Sequence, residues 1–196
     1  MPRVRKAKVL EFNWSGPHSW PKFDSESELP PIPKSPGVYL WTAEYKTGYI
    51  IYAAGITRRT IPTRFREHSA KYLSGEYTIL DVKAMNQGIR KEIWHGWEWT
   101  PKKRSEYQHR ENELVAAVRR QLGAFKVFVT DVGTAPRLLE RIEAAIMLNL
   151  YEESSPYCDL PDRGMMLAPR GEGEEPITIR FTSKVKIFGL PDMLEV

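Results

Sequence analysis

Two tyrosines, an arginine, a histidine and a glutamate stand out from this 196-residue chain by type and spacing. Tyr39 and Tyr52 fall in two β-rich runs, Gly37–Thr42 and Tyr49–Ala54, joined by a short polar stretch that ends in Gly48. Side chains alternate across a strand pair, so two phenols can stand on one face of such a hairpin. The competing reading is a cross-strand aromatic pair inside a core. Arg64 and His68 follow at i, i+4, with Tyr72 one turn later, so the three share a helix face. The apolar residues of that segment, mainly Phe65, Ala70 and Leu73, form only a thin stripe. A face carrying a fixed cation, an imidazole and a phenol suits a phosphate better than a core. Glu143 lies beside the apolar stripe Leu139, Ile142, Ile146 and Leu150. A carboxylate there is costly to bury unless a divalent cation or an arginine pairs with it. The alternative is a solvated helix-edge glutamate near Arg137 or Arg141.

These side chains need a frame to hold them. Residues 1–34 read as an arm and a Pro-rich lead-in, because Pro17, Pro21, Pro30, Pro31 and Pro33 each remove a ladder donor and fix φ. The two β-rich runs then predict an antiparallel hairpin. Pro62 opens a helix over Thr63–Leu73, closed by Ser74-Gly75. Tyr77–Val82 and Arg90–Trp99 are β-prone. Ser105 reads as the N-cap of a helix over Glu106–Leu122, Phe125–Asp131 alternates like a strand, and Pro136 begins a helix over Arg137–Tyr151. A last β-prone stretch covers Ile177–Phe188. The expected fold is α+β, a small central antiparallel sheet of about three strands flanked by helices. The expected organisation is a main domain over 35–160 with an insertion around 77–104, followed by an extension over 161–196.

Charge is mild in total, +4 with a pI near 9.1, but segregated. Basic residues cluster at Arg3, Arg5, Lys6 and Lys8, then at Arg58, Arg59, Arg64, Arg66 and Lys71, and again at Lys102, Lys103 and Arg104, while acids collect at Glu152-Glu153 and in 172–175. Such a distribution can attract a phosphate backbone, or it can be a solubilising surface. A single cysteine, Cys158, excludes an intramolecular disulfide framework and a multi-cysteine zinc site. A mean hydropathy of -0.47 and the lack of an apolar run approaching ~20 residues exclude a spanning helix. Glu11 and Asn13 interrupt the basic start before it can read as a secretory signal, so the expected location is cytoplasmic, with no membrane partner.

Taken together, these pieces resemble the GIY-YIG nuclease family. Gly37-Val38-Tyr39 matches the family's Gly-x-Tyr strand, Arg64-Phe-Arg-Glu-His68 its Arg-x-x-x-His helix, and Glu143 its metal-binding glutamate. Tyr52-Ala53-Ala54-Gly55 stands where the family has Tyr-x-Gly, with either the glycine displaced by one position or an alanine in its place, which leaves Tyr49 as the alternative second tyrosine. Asp159 stands in for an asparagine that many members carry after the last helix. The resemblance covers residues 35–160 and is strongest to restriction endonucleases of the family. It implies hydrolysis of DNA phosphodiester bonds with one Mg²⁺ (or Mn²⁺) held by Glu143. Arg64 would stabilise the phosphorane charge, and Tyr39 would serve as base or water-positioner with its pKa lowered by nearby cations. Tyr52 and His68 would orient water and phosphate. Arg58, Arg59, Arg66, Lys71, Lys102, Lys103 and Arg104 would contact the DNA backbone. A double-strand cut at a palindrome calls for a homodimer or two visits. Two rival readings stay open, a DNA-binding module that has lost catalysis and a structure-specific nickase.

Overall fold

The N-terminal arm, expected to be irregular, is a long strand. In the computed structural model, which describes residues 8–97 and 100–196, β1 (Lys8–Ser19) is followed by a short α1 (Asp24–Ser27) and the hairpin β2 (Gly37–Tyr45) and β3 (Gly48–Thr57). Next come α2 (Ile61–Leu73), the small strands β4 (Ile79–Leu80) and β5 (Glu92–Trp94) with α3 (Val82–Met85) between them, and α4 (Pro101–His109). Then follow α5 (Glu111–Ala124), β6 (Lys126–Thr130) and α6 (Pro136–Glu152), and the chain closes with β7 (Ile177–Ser183), β8 (Ile187–Phe188) and β9 (Met193–Glu195). The basic residues Arg3, Arg5 and Lys6, together with Trp99, lie outside the described residues.

The expected small sheet of about three strands is overturned. Seven strands form one mixed sheet in the order β8-β3-β2-β6-β1-β7-β9, and β4 pairs with β5 separately. The hairpin and β6 sit next to one another, and strands from both chain ends extend them. β1 turns the corner: its first half runs parallel to β7, Lys8 opposite Ile177 through Trp14 opposite Ser183. Its second half is antiparallel to β6, with a register shift between Ser15 and His18. Pro17 lies within that shift, where a missing N–H breaks no regular ladder. The proline that argued against a strand therefore occupies a bulge inside one.

At β2, β3 and β6 the sheet is buried on both faces, which is why β2 reads as a continuous apolar run rather than an alternating one. Tyr39 and Trp41 point into a core with Trp20, Phe65, Tyr72, Leu114 and Phe125, under α2 and α5. Val38 and Leu40 point into a second core with Phe128, Leu139, Ile142, Ile146 and Leu150, under α6. The single long helix expected over Glu106–Leu122 is two helices broken at Arg110, and Thr100 rather than Ser105 is the capping residue, accepting from the Lys103 N–H. Among the described residues no helix is long and apolar enough to cross a membrane.

Candidate active site

The cavity forms where the sheet leaves an edge open. β8 pairs with β3 only at Tyr49 and Ile50, so among the described residues no strand pairs with the rest of β3 on that side. Ala53, Ala54, Gly55 and Ile56 line a cavity of about 520 Å³ along this edge. An open edge lets side chains from the two faces of a sheet meet. Tyr39, Tyr52, Arg64 and His68 arrive from the β2, β3 and α2 side, and Glu143 from α6 on the other side, and all five line the same cavity. The small residues of the Ala53-Ala54-Gly55 run keep the edge clear for them.

The longer Tyr52-Ala53-Ala54-Gly55 motif has a physical explanation. Trp41 pairs with Ala53 but Thr42 pairs with Ile51, so Tyr52 is the extra residue of a β-bulge. A spacing of three would put Tyr52 and Gly55 on opposite faces of a regular strand. The bulge restores one face: Tyr52 and Ala53 both enter the Tyr39 core, whereas Ile51 and Ala54 enter the other. Tyr49, the alternative, packs its ring on Phe128 at 5.2 Å and is not in the cavity. The two motif glycines are required by close approach. Gly37 has φ of 138°, and a Cβ there would lie 2.3 Å from the Thr130 carbonyl oxygen of β6. Gly55 sits directly against the Tyr39 ring.

Tyr39, Trp41 and Tyr52 form a nearly parallel stack with ring centroids 6.3 and 6.2 Å apart, so the indole separates the two phenols. On α2 the buried stripe is Ile61, Phe65, His68 and Tyr72, not the Phe65, Ala70 and Leu73 expected, and it carries the histidine inward. The His68 Nε2 lies 3.0 Å from the Tyr39 hydroxyl and its Nδ1 lies 3.1 Å from the Tyr77 hydroxyl. Burial, reinforced by Arg64 and Lys71, lowers the His68 pKa to about 3, so the imidazole is neutral at physiological pH. The Tyr39 phenol was expected to be acidified. Instead burial raises its pKa above the ordinary value, and the opposing pull of the Arg64 guanidinium is the smaller effect.

Burial also raises the Glu143 pKa to about 7, with Arg64 and the Ile56 backbone N–H opposing it and Glu140 adding to it. Arg64 is half-exposed and donates to Glu67 at 3.1 Å, a carboxylate that also binds Arg59 at 2.7 Å. Solvated pairs of this kind contribute little, about 0–1 kcal/mol, so an incoming phosphate can displace Glu67.

Sequence reasoning missed Tyr77, Asp162 and Arg90. The Tyr52 hydroxyl donates to the buried Asp162 at 2.7 Å, and Arg90 donates to the other Asp162 oxygen at 2.5 Å and to the Leu160 carbonyl at 2.7 Å. Asp159, expected to complete the site, is exposed and accepts from Ser155 at 2.6 Å outside the cavity. The signal lay in the same Cys158-Asp-Leu-Pro-Asp-Arg163 segment, three residues on. The expected DNA-contacting cations stand apart: none of Arg58, Arg59, Arg66, Lys71, Lys102, Lys103 and Arg104 lines the cavity. Arg58 reaches Glu140 at 3.8 Å and Lys71 binds Glu76 at 2.8 Å, while Lys103 lies over the Trp94 ring at 5.4 Å. No family model, curated protein or solved structure matches the chain.

Proposed function

We propose that this chain is a divalent-metal-dependent DNA endonuclease of the GIY-YIG type. One observation carries the reading: side chains from four elements, 104 positions apart in the chain at the extremes (143 − 39), line one cavity and supply the groups that phosphodiester hydrolysis uses.

The donor set fits one hard cation. Mg²⁺ is commonly held by one or two carboxylates with water and substrate oxygens completing its shell. Glu143 is the carboxylate that would hold it here, on a wall with room for both. Among the described residues no group of three or more His, Cys, Asp or Glu side chains is arranged as a closed metal cage. When bound, such a cation polarises the scissile phosphate and neutralises charge on the leaving oxygen.

The protein's own groups do the rest. Arg64 exchanges Glu67 for the non-bridging phosphate oxygens and presents a planar, permanently charged fork to the charge that develops on them. The Tyr39 oxygen positions the attacking water. Burial favours the protonated phenol, so Tyr39 serves as a relay. A proton passes from water to the Tyr39 oxygen as the Tyr39 proton passes to neutral His68 Nε2. In the tautomer that donates Nδ1–H to the Tyr77 hydroxyl, Nε2 is free to accept. A phosphate bound at Arg64 favours the imidazolium that results. Tyr52, anchored by Asp162 and Arg90, sets the far wall.

Incubation with supercoiled plasmid in Mg²⁺ or Mn²⁺, with an EDTA control, tests the reading. Linear or nicked product only with the metal is expected. Intact plasmid and intact branched and single-stranded substrates with both metals would overturn it.

A further inference from the structure

Trp97 is the exception among the described tryptophans. Trp14, Trp20, Trp41 and Trp94 are at most 7% exposed, whereas Trp97 is 48% exposed. It stands at φ of 44°, a backbone region that a bulky residue occupies only when something holds it there. Its ring stacks on Tyr77 with centroids 5.7 Å apart and planes 25° from parallel. Tyr77 in turn reaches His68 of the candidate active site. Trp97 and Asp162 are shared walls between the catalytic cavity and a second cavity of about 440 Å³. The second cavity offers hydrogen-bonding groups at His95, Asp159 and Arg163. A flat aromatic platform backed by another ring, half open to solvent and edged by donors and acceptors, has the chemistry that holds a splayed-out nucleobase.

We infer that Trp97 stacks an unpaired nucleobase adjacent to the cleaved phosphate, so that the substrate is DNA with unstacked nucleotides at the cut rather than uninterrupted duplex. A base inside a duplex cannot reach this ring, because both its faces are already stacked, and extruding it costs a few kcal/mol that an unpaired or branched site does not require. The inference rests on the nuclease reading, and it names the substrate class of the same site.

The test uses fluorescent DNA and the full chain in EDTA, where the proposed metal-dependent cleavage does not run. Three probes are compared: a single strand with a central 2-aminopurine, a duplex with one unpaired 2-aminopurine, and the fully paired duplex. Wild-type protein is expected to change the 2-aminopurine fluorescence of the first two and to bind them more tightly than the third. Trp97→Ala should weaken binding of the unpaired probes about five- to hundredfold and abolish the fluorescence change. Trp97→Phe should retain most of both, and paired-duplex affinity should be the same in all three proteins. Equal affinities and equal fluorescence for wild type and Trp97→Ala would overturn the inference while leaving the nuclease reading intact. Failure of wild type to bind any of the probes would overturn both.

Discussion

The Tyr39 ring lies against Gly55 of the neighbouring strand so closely that a Cβ at position 55 would stand 2.5 Å from three of its atoms, the hydroxyl oxygen included. Tyr39 and Gly55 are register partners across the hairpin. The glycine therefore makes room for the phenol that meets His68. Gly55→Ala forces that ring aside. A misplacement of about 1 Å at a reacting group costs on the order of 10²-fold in rate, and overpacking costs about 1–3 kcal/mol. We expect Gly55→Ala to fold with a lowered Tm and to lose about 10²-fold in plasmid cleavage. Unchanged turnover would remove Tyr39 from the chemistry.

Much of this site was legible in the sequence because each motif is local. A Gly-x-Tyr strand, an i, i+4 Arg–His pair and a glutamate inside an apolar helix each reveal themselves within a few residues. The features that escaped depend on long-range pairing. β1 and β7 form a parallel ladder between residues about 170 positions apart, and no local period signals it. Pro17 argued against a strand because its place in a bulge is visible only with β6 alongside. Asp162 reaches Tyr52 across 110 residues, and Trp97 looks like any core tryptophan until its exposure is known.

Arg64 presents a fork that lysine cannot reproduce, since bidentate contact with phosphate oxygens needs a planar guanidinium. Arg64→Lys and Arg64→Ala are both expected to lose about 10²–10³-fold in cleavage rate under saturating DNA. A loss confined to DNA affinity, with the saturated rate intact, would make Arg64 a positioning residue instead.

Glu67 holds Arg59 and Arg64 in the absence of substrate. Removing its charge frees two cations, Arg64 on the cavity wall and Arg59 outside it. Glu67→Gln is expected to tighten DNA binding a few-fold at low salt and to steepen the dependence of affinity on salt, because more counterions leave the DNA when more cations bind it. An affinity that ignores the substitution at every salt concentration would show that neither arginine meets the backbone.

Asp162 accepts from Tyr52 and Arg90 inside the protein. Asp162→Ala leaves the buried Tyr52 phenol without its acceptor and takes one of several from Arg90, which keeps Glu92 and the Leu160 carbonyl, at a cost of about 1–3 kcal/mol for the unsatisfied phenol. Asp162→Asn keeps an acceptor for one of them. Thermal unfolding should rank wild type above Asp162→Asn above Asp162→Ala, and cleavage should follow the same order if Tyr52 shapes the catalytic wall. Equal stability of the two variants would show that the carboxylate acts through charge alone.

Glu143 and His68 pull stability in opposite directions as pH changes. Folding raises the Glu143 pKa from about 4.5 to about 7, so between those values the folded chain holds a proton that the unfolded chain has released. Stability from this group is full below about 4.5 and is lost as pH rises through about 7. Folding lowers the His68 pKa from 6.5 to about 3, so between those values the unfolded chain holds the extra proton. Its contribution is full above about 6.5 and is lost as pH falls toward about 3. Between about pH 4.5 and 6.5 the two slopes oppose each other, and replacing either residue exposes the other. Glu143→Gln should be more stable than wild type at pH 8, with the advantage shrinking as pH falls to 5, while its cleavage activity is abolished and its DNA binding in EDTA is retained. His68→Asn should lose stability on going from pH 5 to pH 7 more steeply than wild type does. Urea titrations of the three proteins at pH 5, 6, 7 and 8 measure these differences directly. A Glu143→Gln advantage that does not vary with pH would mean that this carboxylate is not held protonated by its burial. Full cleavage by Glu143→Gln would remove it as the proposed metal ligand.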